Sequence, residues 1–208
     1  MAPRLRSHHT RLPYVQHQDD AIMSKDLFCA LKNLLPPLDY RGVRAFASHS
    51  LLSALHTHPK FHEWKRVAAT FVPNPILIDA HVMVKVAQDD VPQPSHRDLP
   101  LMQTACNQIM NVWEHSVVDK RNGMTVIDGN RDLSLSYGGV IWHDASVLHH
   151  ASGNPSEEDR RLLFLVWVTS HVKGNTVFVP SPVKLMMKSW KTIKERYTNI
   201  THKDIRIK

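Results

Sequence analysis

The sequence predicts an α+β fold in which helices precede an antiparallel, jelly-roll-like β core and one helix closes the chain. Two observations carry this. Apolar residues recur at helical spacing before residue 75 and again after residue 181, whereas the segment between them is broken into short, β-branched runs separated by Gly, Asn, Asp and Pro. At 208 residues the chain fits one core, and 42% apolar with 22% charged residues is ordinary globular usage.

The elements follow in order. Residues 1–20 read as a flexible polar lead-in, basic but without the apolar stretch of a signal peptide. Ser24–Leu35 places Leu27, Phe28, Leu31, Leu34 and Leu35 on one helical face behind a Ser cap, and Pro36 stops it. Ser50–Ala69 reads as a second helix that Pro59 kinks or splits, and Pro73 and Pro75 end this helical support over residues 21–75. Strands are expected at Ile76–Val86, Gln108–Trp113, Met124–Ile127, Gly139–Trp142, Arg161–Val168 and Thr176–Val179, giving a β core over 76–180. Over 181–208, Val183, Met187, Trp190, Ile193 and Tyr197 return to helical spacing, with lysines on the other side.

Composition excludes several functions. Two cysteines, Cys29 and Cys106, make neither a disulfide framework nor a Cys-rich zinc site. The longest apolar run, Leu162 to Val168, is far short of the ~20 residues that span a bilayer. Gly-rich phosphate loops and GxSxG elbows are absent. An intracellular, cytoplasmic protein is the expectation. The net charge of +7 allows an anionic partner, nucleic acid included, but no motif supports one.

The 15 histidines remain. In PSHRDLPLM, His96 and Asp98 are two apart, so on extended backbone both side chains point the same way and suit two adjacent metal positions. His149 or His150, in GGVIWHDASVLHHASGN, offers a third ligand, and two histidines with one carboxylate suit non-haem Fe(II). His17-Gln18-Asp19 repeats the spacing in the lead-in and serves as a warning against counting alone. Arg160 and Arg161 are adjacent, so one faces the interior, where a guanidinium can hold a carboxylate bidentately. His143 and His115 are further ligand or acid–base candidates. His49, His56, His58 and His62 include an i, i+4 pair at 58 and 62, although a solvated helix face is the simpler reading.

From Val82 to Val168, 87 of the 208 residues, the chain resembles the Fe(II)/2-oxoglutarate-dependent oxygenases, and within them the phytanoyl-CoA hydroxylase-like branch. The resemblance rests on Lys85 before HRDL, on NVWEHSVVDKRNGMTVIDGN, and on GGVIWHDASVLHHASGNPSEEDR, in that order. It implies a double-stranded β-helix, a jelly-roll of the cupin type, in a single domain over 1–208. Fe(II) would be held by His96, Asp98 and His149. 2-Oxoglutarate would be bound through Arg160, with Lys85 and Trp113 lining its pocket, and O2 would be the second co-substrate. The implied activity is hydroxylation of a small or medium organic substrate, with 2-oxoglutarate converted to succinate and CO2. The same chemistry on a nucleic acid or protein, and a cupin-like binding module without turnover, stay open. The doublets allow His149 with Arg160 or His150 with Arg161; the positions of Gly138 and Asn154 favour the first. The sequence departs from the family pattern at Gly129-Asn130-Arg131, His150 and Ala151.

Overall fold

The structure is a computed structural model that describes residues 14–19, 21–34, 43–46, 48–89, 91–98, 105–114, 116, 118–119, 124–126, 131–169, 171–173, 176–179 and 205–207. The chain runs β1 (Tyr14–Gln18), α1 (Lys25–Lys32), β2 (Val43–Phe46), α2 (His49–His56), α3 (Phe61–Phe71) and β3 (Pro75–Lys85). It continues with β4 (Gln93–His96), β5 (Ala105–Met110), β6 (Met124–Val126), β7 (Arg131–Leu133), β8 (Gly139–Asp144) and β9 (His149–Ala151). Last come β10 (Arg160–Thr169), β11 (His171–Lys173), β12 (Thr176–Val179) and β13 (Ile205–Ile207).

Two antiparallel sheets form the core. One has the order β1-β8-β5-β10-β3-β2 and the other β4-β9-β6-β7, so the chain passes repeatedly from sheet to sheet between β3 and β10. A small sheet, β11-β12-β13, lies apart from them in pairing. Among the described residues no helix is long and apolar enough to cross a membrane.

Strand β10 shows how the layers arise. Its near-continuous apolar run is buried on both faces. Leu163, Leu165 and Trp167 join the helix-side core with Leu27, Leu51, Leu55 and Trp64. Leu162 joins Ile109, Leu133, Leu135 and Ile141 in a second cluster, against which Phe164 packs. Period-2 alternation therefore gives this strand one apolar face for the helices and one for the opposite sheet. Each such side chain, once buried, contributes roughly 1.5–3 kcal/mol.

The helices obey their caps. Ser24 Oγ accepts the Leu27 N–H at 3.3 Å, and Ser48 Oγ accepts that of Leu51 at 3.1 Å. Of the two outcomes expected at Pro59, a kink or a split, the structure shows the split, into α2 and α3, because Pro59 has no N–H to continue the ladder. Their junction is closed by the Lys60 N–H donating to His58 Nδ1 at 3.1 Å.

The lead-in expectation needs correction at residues 14–18. These form β1, paired with β8 from Tyr14↔His143 to Gln18↔Gly139. A mostly polar segment can do this because an edge strand gains backbone hydrogen bonds, and Val15 packs it onto the helix-side core. The turn beside it needs glycine: Gly138 has φ +77°, and a Cβ there would lie 2.9 Å from the Asp19 carbonyl oxygen. The C-terminal helix expected at 182–197, with Trp190, lies outside the described residues.

Candidate metal centre and anion pocket

The two core sheets enclose a cavity of about 290 Å³. Its apolar wall comes from inward positions such as Ile109, Ile141, Leu162 and Phe164. The polar groups that break this wall include the five that the sequence singles out, His96, Asp98, His149, Lys85 and Arg160, together with His81, Gln93 and Asn107.

His96 ends β4 and His149 opens β9. The two strands are antiparallel neighbours with His96 directly opposite His149, so fifty residues of sequence separation become one cross-strand pair. Asp98 follows His96 by two and points the same way. One ligand atom from each of the three lies within 4.8 Å of the others. His96 Nε2 is 3.3 Å, and His149 Nε2 3.7 Å, from Asp98 Oδ1.

Backbone carbonyls fix the ring tautomers. A carbonyl can only accept, so His96 Nδ1–H donates to Pro94 O at 2.8 Å and His149 Nδ1–H to Val147 O at 3.0 Å. In the neutral form each ring keeps its Nε2 lone pair on the side of Asp98, as a metal-binding imidazole requires; without a metal, protonated His96 donates its Nε2–H to Asp98 Oδ1 at 3.3 Å. Burial pushes the Asp98 carboxyl up, but the hydrogen bond from His96 and the nearby imidazoles outweigh it and hold it below the usual range. The Asp98 hydrogen bond raises His96, while burial lowers His149. The donor set of two imidazole nitrogens and one carboxylate oxygen, gathered on one side of a point, fits a first-row divalent metal and leaves its other positions to ligands from the cavity.

At another part of the cavity, Lys85 on β3 is paired in register with Arg160 on β10. Lys85 Nζ donates to Val91 O at 2.5 Å and Ser152 O at 2.7 Å. Burial and then the charge of Arg160 lower the Lys85 pKa, and burial brings Arg160 down to about 10. Two buried cations thus line the same part of the cavity, with the charge of Asp89 acting on Lys85 in the opposite sense. Asn154 sets this pair by clamping the loop between β9 and β10 onto the end of β3. Its Nδ2 donates to Lys85 O at 3.1 Å, Val86 O at 3.0 Å and Glu158 O at 2.8 Å.

The rival residues lie elsewhere. His150 and Arg161 do not line the cavity; Arg161 Nη2 pairs with Asp159 at 3.1 Å instead. Trp113, expected beside the anion pocket, packs against the helix-side core. The cause is Asn111, whose Oδ1 accepts the Trp113 N–H at 3.2 Å and turns the chain just beyond β5. His58 is buried and stacked on Trp64 while His62 is exposed, so the two form no grip. His17 lies on β1 at the sheet edge, and its companion Asp19 instead accepts a hydrogen bond from Trp64 Nε1 at 3.4 Å. His115 lies outside the described residues.

Asn107 and the Asp79–His81 pair have no counterpart in the sequence motifs, and His143, a ligand or acid–base candidate by sequence, joins them. Asn107 Nδ2 donates to Asp98 Oδ2 at 2.5 Å. His143 is fully buried with Nε2 3.9 Å from the same oxygen. Asp79 Oδ2 meets His81 Nδ1 at 2.6 Å on the inner face of β3. An available signal was their polarity at inward strand positions, but which positions face inward depends on cross-strand register.

Comparison with known proteins adds the fold. No protein-family model matches the chain, and no curated protein sequence matches it. The structure is similar to that of the epimerase SnoN in complex with Fe3+, alpha ketoglutarate and nogalamycin RO, with a TM-score of 0.58 and 18% identity over 76% of this chain and 80% of that one. It is also similar to HygX from Streptomyces hygroscopicus with nickel, 2-oxoglutarate and hygromycin B bound, with a TM-score of 0.54 and 10% identity over 76% and 84% of the two chains. EvdMO1 matches with a TM-score of 0.57 and 16% identity over 75% of this chain, which spans only 47% of that protein. At these identities the shared property is the fold.

Proposed function

We propose that this chain is a non-haem Fe(II)/2-oxoglutarate-dependent oxygenase with a double-stranded β-helix core, of the phytanoyl-CoA hydroxylase-like branch, that hydroxylates a small or medium organic substrate. The observation that carries the reading is the convergence of His96, Asp98 and His149 on one point of a cavity that also holds the Lys85–Arg160 cation pair. Structures that share the fold contain Fe3+, nickel and 2-oxoglutarate, which supports the same ligands here.

His96 Nε2, His149 Nε2 and Asp98 Oδ1 would hold the metal, and Arg160 with Lys85 would hold the distal carboxylate of 2-oxoglutarate. The metal and the oxoacid together supply oxidising power from O2, with 2-oxoglutarate leaving as succinate and CO2. The protein's part is placement. The guanidinium forks onto a carboxylate, the buried ammonium adds charge, and the apolar wall of Leu162, Phe164 and Ile141 excludes water from the reacting centre. A space of about 290 Å³ favours a small molecule over a polymer.

The direct test is conversion of 2-oxoglutarate to succinate, without added substrate, by the Fe(II)-loaded protein. Wild type is expected to show slow turnover that His96→Ala abolishes. If wild type binds neither Fe(II) nor 2-oxoglutarate, the oxygenase reading fails. Binding of both without turnover would identify a binding module.

A further inference from the structure

Asp98 is the least anchored of the three candidate ligands. His96 and His149 belong to paired strands, whereas Asp98 follows β4 in a bend, with its side chain about a third exposed. A carboxylate in such a position can turn either oxygen, or both, toward a metal. Here the oxygens are sorted: Oδ1 faces the two imidazoles at 3.3 and 3.7 Å, while Oδ2 accepts from Asn107 at 2.5 Å.

We propose that Asn107 is a positioning residue that fixes Asp98 as a ligand through one oxygen, by holding Oδ2 away from the metal. The inference rests on the metal reading of the site and adds to it a residue that none of the motifs contains.

The chemistry favours Asn in this role. A carboxylate only accepts, so the amide must present its nitrogen, and the amide carries no charge that would compete for the metal. Asn107 is buried and lies on β5, held between β8 and β10, so its donor is fixed by the sheet and not by the bend it serves. The next residue, Gln108, turns the other way and is bonded to Trp167 Nε1 at 3.1 Å, which leaves Asn107 as the inward amide of this strand.

His143, directly opposite Asn107 on β8, does not share the task. Its Nδ1–H donates to Asp144 O at 2.9 Å, so in the neutral ring a lone pair faces Asp98 Oδ2 from 3.9 Å and offers it no proton. Among the described residues Asn107 is the hydrogen-bond donor to Oδ2.

The test uses Co(II) alone, added to metal-free full-length protein. Calorimetry gives its Kd, the visible absorption of bound Co(II) reports coordination number, and the thermal midpoint of the metal-free protein reports folding. Asn107→Leu keeps the size and removes the donor. It is expected to leave the metal-free midpoint near wild type, to weaken Co(II) binding roughly 10–100-fold, and to change the Co(II) band intensity as Asp98 becomes free to bind through both oxygens. Asn107→Ser removes the same reach with less bulk and is expected to show the same loss and band change, which guards against a packing defect in the Leu variant. Wild-type Kd and spectrum in either folded variant overturn the proposal. Failure of wild type to bind Co(II) any better than His96→Ala overturns the metal reading itself, a separable result.

Discussion

Lys85 and Arg160 face each other across β3 and β10, both almost wholly buried and each with its pKa lowered by that burial. Burying two cations beside one another opposes folding, and the charge of Asp89 offsets part of that cost at Lys85. Both groups bind protons less tightly folded than unfolded, so metal-free, ligand-free stability rises as pH climbs through the lowered pKa values.

Anion binding has the opposite dependence. As Lys85 loses its proton below its ordinary value of 10.5, the pocket loses charge, and 2-oxoglutarate binding weakens. Calorimetry with the Ni(II)-loaded protein from pH 7 to 10 is expected to show this decline. Lys85→Met is expected to bind weakly already at pH 7 and to decline less. An affinity that is unchanged across this range in wild type would count against the pocket.

His149 and His150 are adjacent, and only one lines the cavity. His149→Ala is expected to weaken Co(II) binding by more than about 100-fold, beyond the roughly 10–100-fold of an outer partner. His150→Ala is expected to leave the Kd near wild type. The reverse pattern in the same titration would select the other register, His150 with Arg161.

His58 gives a pH prediction outside the cavity. Burial against Trp64 lowers its pKa from 6.5, against the raising effects of a hydrogen bond to the Ile22 backbone and of Asp19; Lys60 adds to the lowering. The folded state therefore prefers the neutral ring, and its contribution to stability is lost as pH falls below 6.5 toward the folded value. An NMR titration of the His58 ring should give a midpoint below 6.5. A midpoint at or above 6.5 would mean that the ring is solvated.

These residues also mark how far the sequence is legible. Leu163, Leu165 and Trp167 against Leu162 and Phe164 betray a doubly buried strand, because alternation is local. His96 and Asp98 could be placed on one side for the same reason. The choice between His149 and His150 depends on register with β4, and the inward turn of Asn107 and His143 depends on how β5, β8 and β10 pair; neither is encoded within one segment. Trp113 was misplaced by an Asx turn that ends the alternation one residue after Met110. Edge strand β1 carries little apolar signal, Tyr14 and Val15 alone, because most of its hold on the sheet is backbone bonding to β8.

Asn154 joins stability to function. Its one side-chain amide group serves three carbonyls, those of Lys85, Val86 and Glu158, and its Oδ1 accepts from Ser156 Oγ at 2.5 Å. Asn154→Ala removes the donor shared by the Lys85 and Val86 carbonyls, while Glu158 O keeps Ser156 Oγ at 2.9 Å, a loss of about 2–3 kcal/mol once the loop has partly relaxed. For a chain of this size that lowers the thermal midpoint by roughly 5–10 °C. The same change loosens the loop that delivers Arg160 to Lys85, so 2-oxoglutarate should bind more weakly while Co(II), held at the His96–Asp98–His149 point, keeps its affinity. Calorimetry with each ligand on the folded variant separates the two effects. Equal weakening of both would show that Asn154 supports the core as a whole and not the anion pocket in particular.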